Sequence, residues 1–129
     1  MDAAQALADL TEISSQIQAA VLFDESGAVQ GSTLGDAEAA EALAGAAAQL
    51  LARVDDLGRD AAAVTQLEAA TDDGSVFVVR DGARRIAATT GAAPTVGLVF
   101  YDLKSCLRGA AEEPAKPKRT RRKKANDAA

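Results

Sequence analysis

The chain has 129 residues and a formal net charge of −5, and 48% of its residues are hydrophobic; 32 residues are Ala, and only 28 are Val, Ile, Leu, Met or Phe. So few large apolar side chains give a small domain little surface to bury, which favours self-association. The chain has no His, which excludes the usual general base near pH 7, and its single Cys106 excludes an internal disulfide.

No targeting segment is expected. The opening residues, MDAAQALADL, lack the basic and apolar regions of a signal peptide, and no apolar run approaches the ~18 residues of a membrane span. Cys106 is interpreted as a small core residue, which suits a reducing compartment, so we expect a cytoplasmic protein.

Apolar residues recur at helical spacing from Ala3 to Ile17, which predicts a first helix with Asp2 as its N-cap. The period then changes, and the stretch AAVLFDESGAVQGST indicates two short strands. Gly27 is expected to take a positive φ angle in the loop between them. Asp24 and Glu25 are interpreted as solvated carboxylates of that loop rather than as a catalytic pair.

A long second helix is predicted from an N-cap at Asp36 to Gly58, which suits the position just past a helix end. Two neighbouring stripes run along it. The first is apolar and is assigned to the domain core: Ala40, Leu43, Ala47, Leu50, Val54 and Leu57. The second is mostly methyl-sized and is assigned to a homodimer interface: Ala39, Ala42, Ala46, Gln49 and Arg53. Composition alone leaves an alternative open, because Ala is also simply a good helix former.

Residues 63–71, AVTQLEAAT, form the next strand candidate. They are too polar for the centre of a sheet, so they are predicted to be an edge strand. This edge is free to pair with its twin in a second copy or to remain solvated. In the first case Thr65 and Leu67 belong to the dimer interface.

Two further strands, 75–80 and 83–89, are joined by Asp81-Gly82, a strong hairpin signal. A two-residue loop there places Phe77 opposite Ile86. Apolar side chains then lie on both faces of the hairpin, so helices are expected on both faces of the sheet.

Residues 95–110 have strand composition in their first half, but their apolar positions recur at helical spacing beyond the usual length of a strand. They are therefore predicted to form a closing helix, capped by Thr95 and with Arg108 near its C-terminal end. The predicted order is α-β-β-α-β-β-β-α, an α+β domain.

This order, together with three stretches, resembles the roadblock family of dynein light-chain and GTPase-regulator domains. The stretches are AAVLFDESGAVQGSTLGDAEAAEALA, SVFVVRDGARRIAATT and PTVGLVFYDLKSCLRGA. The resemblance implies a profilin-like fold in which a five-stranded antiparallel sheet carries the long helix on one face and both terminal helices on the other. It also implies homodimerisation through the central helix and the third strand. Members of the family serve as platforms for Ras-like small GTPases, and the family has no active site to transfer.

No catalysis, cofactor or metal is expected of this chain. Its glycine-rich stretches do not match the phosphate-binding pattern G-x-x-x-x-G-K-[ST], and its Asp pairs lack the spacing of a calcium loop. Asp55 and Asp56 are interpreted as helix-end residues. Arg84 and Arg85 are interpreted as basic residues that aid solubility rather than as a GTPase-activating arginine finger.

The charges separate the chain into two parts. Residues 1–113 carry a net charge of −11, whereas residues 114–129 carry seven basic residues and one Asp, a net charge of +6. This asymmetry predicts a domain over residues 1–111 and a disordered basic tail over residues 112–129, which has no large apolar residue to bury. The basic residues of the tail are Lys116, Lys118, Arg119, Arg121, Arg122, Lys123 and Lys124.

Three roles for the tail remain open: binding of nucleic acid or another polyanion, contact with an anionic membrane surface, and loose association with its own acidic domain or simple solubilisation. Two functions follow. The first is a homodimeric platform that binds and regulates a Ras-like small GTPase. The alternative is a nucleoid-associated protein whose acidic domain serves only to dimerise the basic tails.

Overall fold

Eight elements follow one another in the predicted order in a computed structural model that describes residues 2–57 and 64–111. The α+β class and the five-stranded antiparallel sheet with helices on both faces are confirmed, with strand order β2-β1-β5-β4-β3. The elements are α1 (Ala3–Ile13), β1 (Ile17–Phe23), β2 (Val29–Ser32), α2 (Ala37–Leu57), β3 (Gln66–Ala70), β4 (Ser75–Asp81), β5 (Arg84–Thr90) and α3 (Val96–Ala111).

Both proposed acidic N-caps are confirmed. The Asp2 carboxylate accepts a hydrogen bond from the Gln5 N–H at 2.8 Å, and the Asp36 carboxylate accepts one from the Glu38 N–H at 3.0 Å. Each satisfies a helix-terminal N–H that has no partner within its helix. Gly58, the proposed end of the second helix, lies outside the described residues.

The first helix is shorter than its periodicity predicts. It ends at Ile13, which is exposed, and Ser14 already has extended backbone angles. Ile17 begins β1 and lies opposite Thr90 of β5. Ile17 therefore belongs to the sheet rather than to the first helix, because strand pairing outweighs its helical spacing.

The hairpin between β4 and β5 has a different register from the one expected. Its two loop residues are Gly82 and Ala83, because Asp81 pairs with Arg84, and Phe77 therefore lies opposite Ala88 rather than Ile86. Gly82 has φ +63°, a conformation that glycine adopts without strain. The register differs by two residues, so every side chain stays on its expected face.

The sheet is buried on both faces, as expected from its apolar patterning. Under α1 and α3 the core contains Leu22, Phe77, Ile86 and Leu103, among others, and Phe77 meets Phe100 edge to face at 5.0 Å between ring centres. Under α2 the core is formed by Val21, Phe23, Ala40, Ala44, Ala47, Leu51, Val78 and Ala87.

The core side of α2 is only in part the stripe that the sequence predicts. Ala40 and Ala47 are buried as expected, but their buried companions are Ala44 and Leu51. Leu43 is half-buried and packs against this core, Leu50 and Val54 are half-buried, and Leu57 is 79% exposed. The helix carries apolar residues on two adjoining stripes, and periodicity alone does not decide which stripe meets the sheet. Three alanines, Ala40, Ala44 and Ala47, face the sheet together with Leu51.

Candidate interaction surfaces

The methyl-sized stripe of α2 faces away from the sheet. We call it the α2 face: Ala39, which is half-buried, and the exposed residues Ala42, Ala46, Gln49 and Arg53. It lies on the largest helix of the domain and carries one charged side chain. Small side chains on an exposed helix let a second helix approach closely.

A row of leucines lies beside the α2 face and extends it. Leu43, Leu50 and Leu57 follow one another at seven-residue intervals, and none of them is fully buried. All three are predicted to be core residues, but only Leu43 packs against the α2 core, and Leu57 is exposed. Their seven-residue spacing is typical of a helix that packs along a second helix, so the sequence itself carries a sign of such a contact.

The predicted edge strand is an edge in the structure. β3 pairs with β4 along one side and has no strand on its other side among the described residues. Of its two predicted interface residues, Thr65 is exposed just before the strand, and Leu67 is half-buried against the α2 core. An unpaired edge offers backbone N–H and C=O groups for pairing with another chain.

The sheet beside this edge is only partly covered. α2 packs mainly on β1, β2 and β5. On the same side of the sheet, Leu67, Ala69 and Val76 of β3 and β4 stay half-buried. The α2 face, the leucine row and the β3 edge thus leave apolar surface exposed on one side of the domain.

An ion pair ties the end of α2 to the sheet next to this edge. Arg80 donates from Nη1 to one Asp55 carboxylate oxygen at 2.9 Å and from Nη2 to the other at 2.7 Å. Its Nε donates to the Val64 carbonyl at 2.8 Å, and its backbone N–H donates to the Thr65 carbonyl at 2.8 Å. These hydrogen bonds from Arg80 lower the pKa of Asp55 below its ordinary value. The sequence interpretation missed this pair, because no local pattern connects residues 25 positions apart.

Of the two loop carboxylates, Asp24 shapes the loop, and Glu25 is exposed. Asp24 accepts hydrogen bonds from the Ser26 hydroxyl and from the N–H groups of Ser26 and Ala28, which shape the β1–β2 loop around Gly27 at φ +89°. The bond from the Ser26 side chain contributes most to lowering the pKa of Asp24. Within residues 2–57 and 64–111, no group of three acidic or Cys side chains is placed to hold a metal ion.

The other candidate functional side chains, Cys106, Arg84 and Arg85, are buried or half-buried. Cys106 is buried between α3 and α1, and burial raises the pKa of its thiol to about 11. Arg84 and Arg85 are half-buried and line a pocket of about 280 Å³ together with Asp2 and Gln30. Neither arginine extends freely into solvent as an arginine finger would.

The basic tail lies outside the described residues, and so do all seven of its proposed polyanion-binding residues. In the part of the chain that the structure describes, no helix is long and apolar enough to cross a membrane.

The arrangement of elements is shared with solved structures. A Roadblock/LC7 domain from Streptomyces avermitilis superposes with a TM-score of 0.78 at 19% identity, over 86% of this chain and 96% of that one. The gliding protein MglB from Thermus thermophilus superposes with a TM-score of 0.62 at 19% identity, over 84% of this chain and 85% of that one. The MglB of Myxococcus xanthus gives a TM-score of 0.57 at 15% identity, over 82% and 79%. No protein-family model and no curated protein sequence matches the chain. The chain therefore has the roadblock fold.

Proposed function

We propose that this chain is a non-catalytic, homodimeric roadblock-type platform that binds and regulates a cytoplasmic Ras-like small GTPase. The observation that carries the proposal is the exposed apolar surface on one side of a roadblock fold, formed by the α2 face, the leucine row and the unpaired edge of β3. Exposed apolar surface of this kind often marks a contact with another protein.

A symmetric dimer with a two-fold axis would bury all three parts of this surface at once. Two β3 edges can pair with each other, since an isologous contact brings the same element of both copies together. The two α2 helices would then meet on the same side of the extended sheet through Ala42, Ala46 and Leu50. The half-buried Leu67, Ala69 and Val76 would gain cover from the second copy.

Regulation rather than catalysis is supported by the inventory of side chains. The chain has no His, its thiol is buried, and the Asp24 carboxylate holds the β1–β2 turn. Its most basic region, residues 112–129, follows the domain as a separate tail for contact with a polyanion or a membrane surface.

The competing function is nucleic-acid binding by the tail, with the domain only as a dimerising module. The +6 charge of residues 114–129 favours this alternative. The two functions differ in what the domain itself recognises. A tail-deleted protein keeps its GTPase contact under the first function, whereas under the second it binds only a second copy of itself.

The test is a pull-down from the cytosol of the source organism with the full chain as bait, in parallel with GTP and GDP analogues. We expect a Ras-like GTPase, identified by mass spectrometry, to be retained preferentially in one nucleotide state. A bait with all seven tail residues changed to Gln is the matched control and should retain the same GTPase. If neither bait retains a GTPase in either nucleotide state, the proposal is wrong.

A further inference from the structure

A groove runs along the seam between α1 and α3, on the opposite side of the sheet from α2. It has a volume of about 280 Å³. Its floor and walls are apolar, and two large side chains stand at its rim with most of their surface in solvent: Ile13 is 70% and Tyr101 is 65% exposed. Asp9 and Asp102 supply its charges, one from each helix.

Asp102 is the unexplained residue of this groove. It is 93% buried, since only 7% of its surface remains accessible, yet it lines the groove. Within the part of the chain that the structure describes, no donor or cation meets its carboxylate, and the single ion pair there is between Arg80 and Asp55. Its carboxylate oxygens are not among the fully buried polar atoms that lack a partner, so they reach the groove, where they can attract a cation.

The other charges around the groove do not supply that cation. Asp9 accepts a hydrogen bond from the Gln5 side chain, and Glu12 is an exposed acid on the same helix. The two basic residues of α3, Lys104 and Arg108, line a different pocket next to β4. The charges that line the groove are thus acidic, whereas Arg108 donates a hydrogen bond of 3.3 Å to the hydroxyl of Ser105 at the edge of the groove.

The chemistry of the groove suits a Lys or Arg side chain. Such a side chain has an aliphatic stem that packs on apolar surface and a charged end that seeks a carboxylate. Ile13 and the ring of Tyr101 offer the surface, and an Arg can also stack on the ring. Asp102 and Asp9 offer the charge.

The chain carries a suitable segment within reach. Lys118 is seven residues beyond Ala111, the end of α3, which corresponds to about 23 Å of extended chain. Asp102 lies nine residues back along α3, or about 14 Å from Ala111. Residues 116–124 are therefore long enough to turn back along the groove of their own domain, and only Pro117 and Thr120 separate their basic residues.

We infer that the basic segment 116–124 docks into the acidic groove between α1 and α3 of its own chain and places a Lys or Arg on Asp102. Docking withholds the tail from other anions, so a polyanion or an anionic membrane must compete with the groove for it. The contact regulates the tail and does not depend on whether the domain binds a GTPase.

Tyr101 makes this testable without a label. It is the only Tyr of a chain that has no Trp, and it stands at the rim of the groove. The experiment measures quenching of its fluorescence by acrylamide, a neutral quencher, in the full chain at about 20 mM and about 500 mM salt, where screening is weak and strong respectively. Docking should make the quenching constant at low salt about two-fold lower than at high salt, because the side chains of the docked tail cover the Tyr101 ring.

Three comparisons decide the outcome. The chain with Gln at all seven basic tail positions should show no salt-dependent protection of Tyr101. Asp9→Asn with Asp102→Asn should abolish the protection, whereas Asp72→Asn with Asp73→Asn, which changes the net charge equally in the exposed β3–β4 turn, should retain it. Protection that persists in the Gln-tail chain, or that falls on dilution and so reflects a second copy, overturns the inference. If the Asp102 variant fails to fold, the Gln-tail chain still decides, because its domain is unchanged.

Discussion

Arg80 and Asp55 form a two-point ion pair that holds the end of α2 against β4, beside the edge strand β3. The Arg80 side chain is 9% exposed and the Asp55 side chain 37%. Arg80 also binds the Val64 carbonyl and, through its backbone, the Thr65 carbonyl, so one residue ties α2 to the start of β3. Both elements belong to the proposed dimer surface, and the pair sets where they lie relative to each other.

This ion pair should make stability depend on pH in the acid range. Arg80 lowers the pKa of Asp55 in the folded chain below the ordinary value of 3.8, so the contribution is present above that value and is lost as pH falls through the folded pKa. Asp55→Asn should therefore lower the thermal unfolding midpoint at pH 5–7, and its difference from wild type should shrink below about pH 4. Asp56→Asn, the exposed neighbour, is the matched control. An equal effect of both substitutions at every pH would contradict the assignment.

Disrupting the α2 face should give monomers. Ala42→Glu with Ala46→Glu places like charges against one another across the two-fold axis, in the region where the helices must approach most closely. We expect light scattering to change from twice 13.1 kDa to 13.1 kDa. Ala52→Glu, exposed on the same helix but outside the α2 face, should remain dimeric. A wild-type chain that is monomeric at tens of micromolar would show that this surface has another purpose.

Hydrogen exchange should report pairing of the β3 edge. In the dimer, the outward amides of Gln66–Ala70 should be protected by the second copy, and the Ala42→Glu, Ala46→Glu variant should lose that protection. β2, the edge at the opposite end of the sheet, provides the internal control and should exchange equally in both proteins. Unchanged exchange in β3 would mean that the copies meet through helices alone.

Substitution of two leucines of α2 should have different effects, one on the stability of the monomer and the other on dimerisation. Leu51, 1% exposed, packs against the sheet, so Leu51→Ala should lower the free energy of unfolding by about 2–5 kcal/mol. Leu57, 79% exposed, should change it little when replaced by Ala, but the same change should weaken the dimer. Denaturant unfolding in the monomeric Ala42→Glu, Ala46→Glu background separates the two effects. A large loss of monomer stability for Leu57→Ala would restore the core assignment made from periodicity.

Binding of the tail to duplex DNA should depend steeply on salt and be blind to sequence, since the tail has no aromatic residue to stack on bases. If six of its basic residues contact phosphates, the logarithm of the binding constant should fall against the logarithm of salt concentration with a slope of about −5. The chain with Gln at the seven tail positions should not bind. If the wild type ignores both DNA and anionic vesicles at about 50 mM salt, where screening is weak, the tail only solubilises or stays docked.

The amino-acid sequence by itself determined the order of elements, the N-caps at Asp2 and Asp36, and an edge strand after the long helix. These features follow from local rules: a carboxylate meets a free helix N–H, and a polar strand suits an edge. It did not determine where α1 ends, which of two apolar stripes on α2 faces the sheet, or the register of the last hairpin. Tertiary packing decided those, because Ile17 gains a strand partner in Thr90, and Ala40, Ala44 and Ala47 face the sheet together with Leu51. The pairing of Arg80 with Asp55 and the burial of Asp102 were likewise beyond reach, since each depends on elements that meet only after the chain has folded.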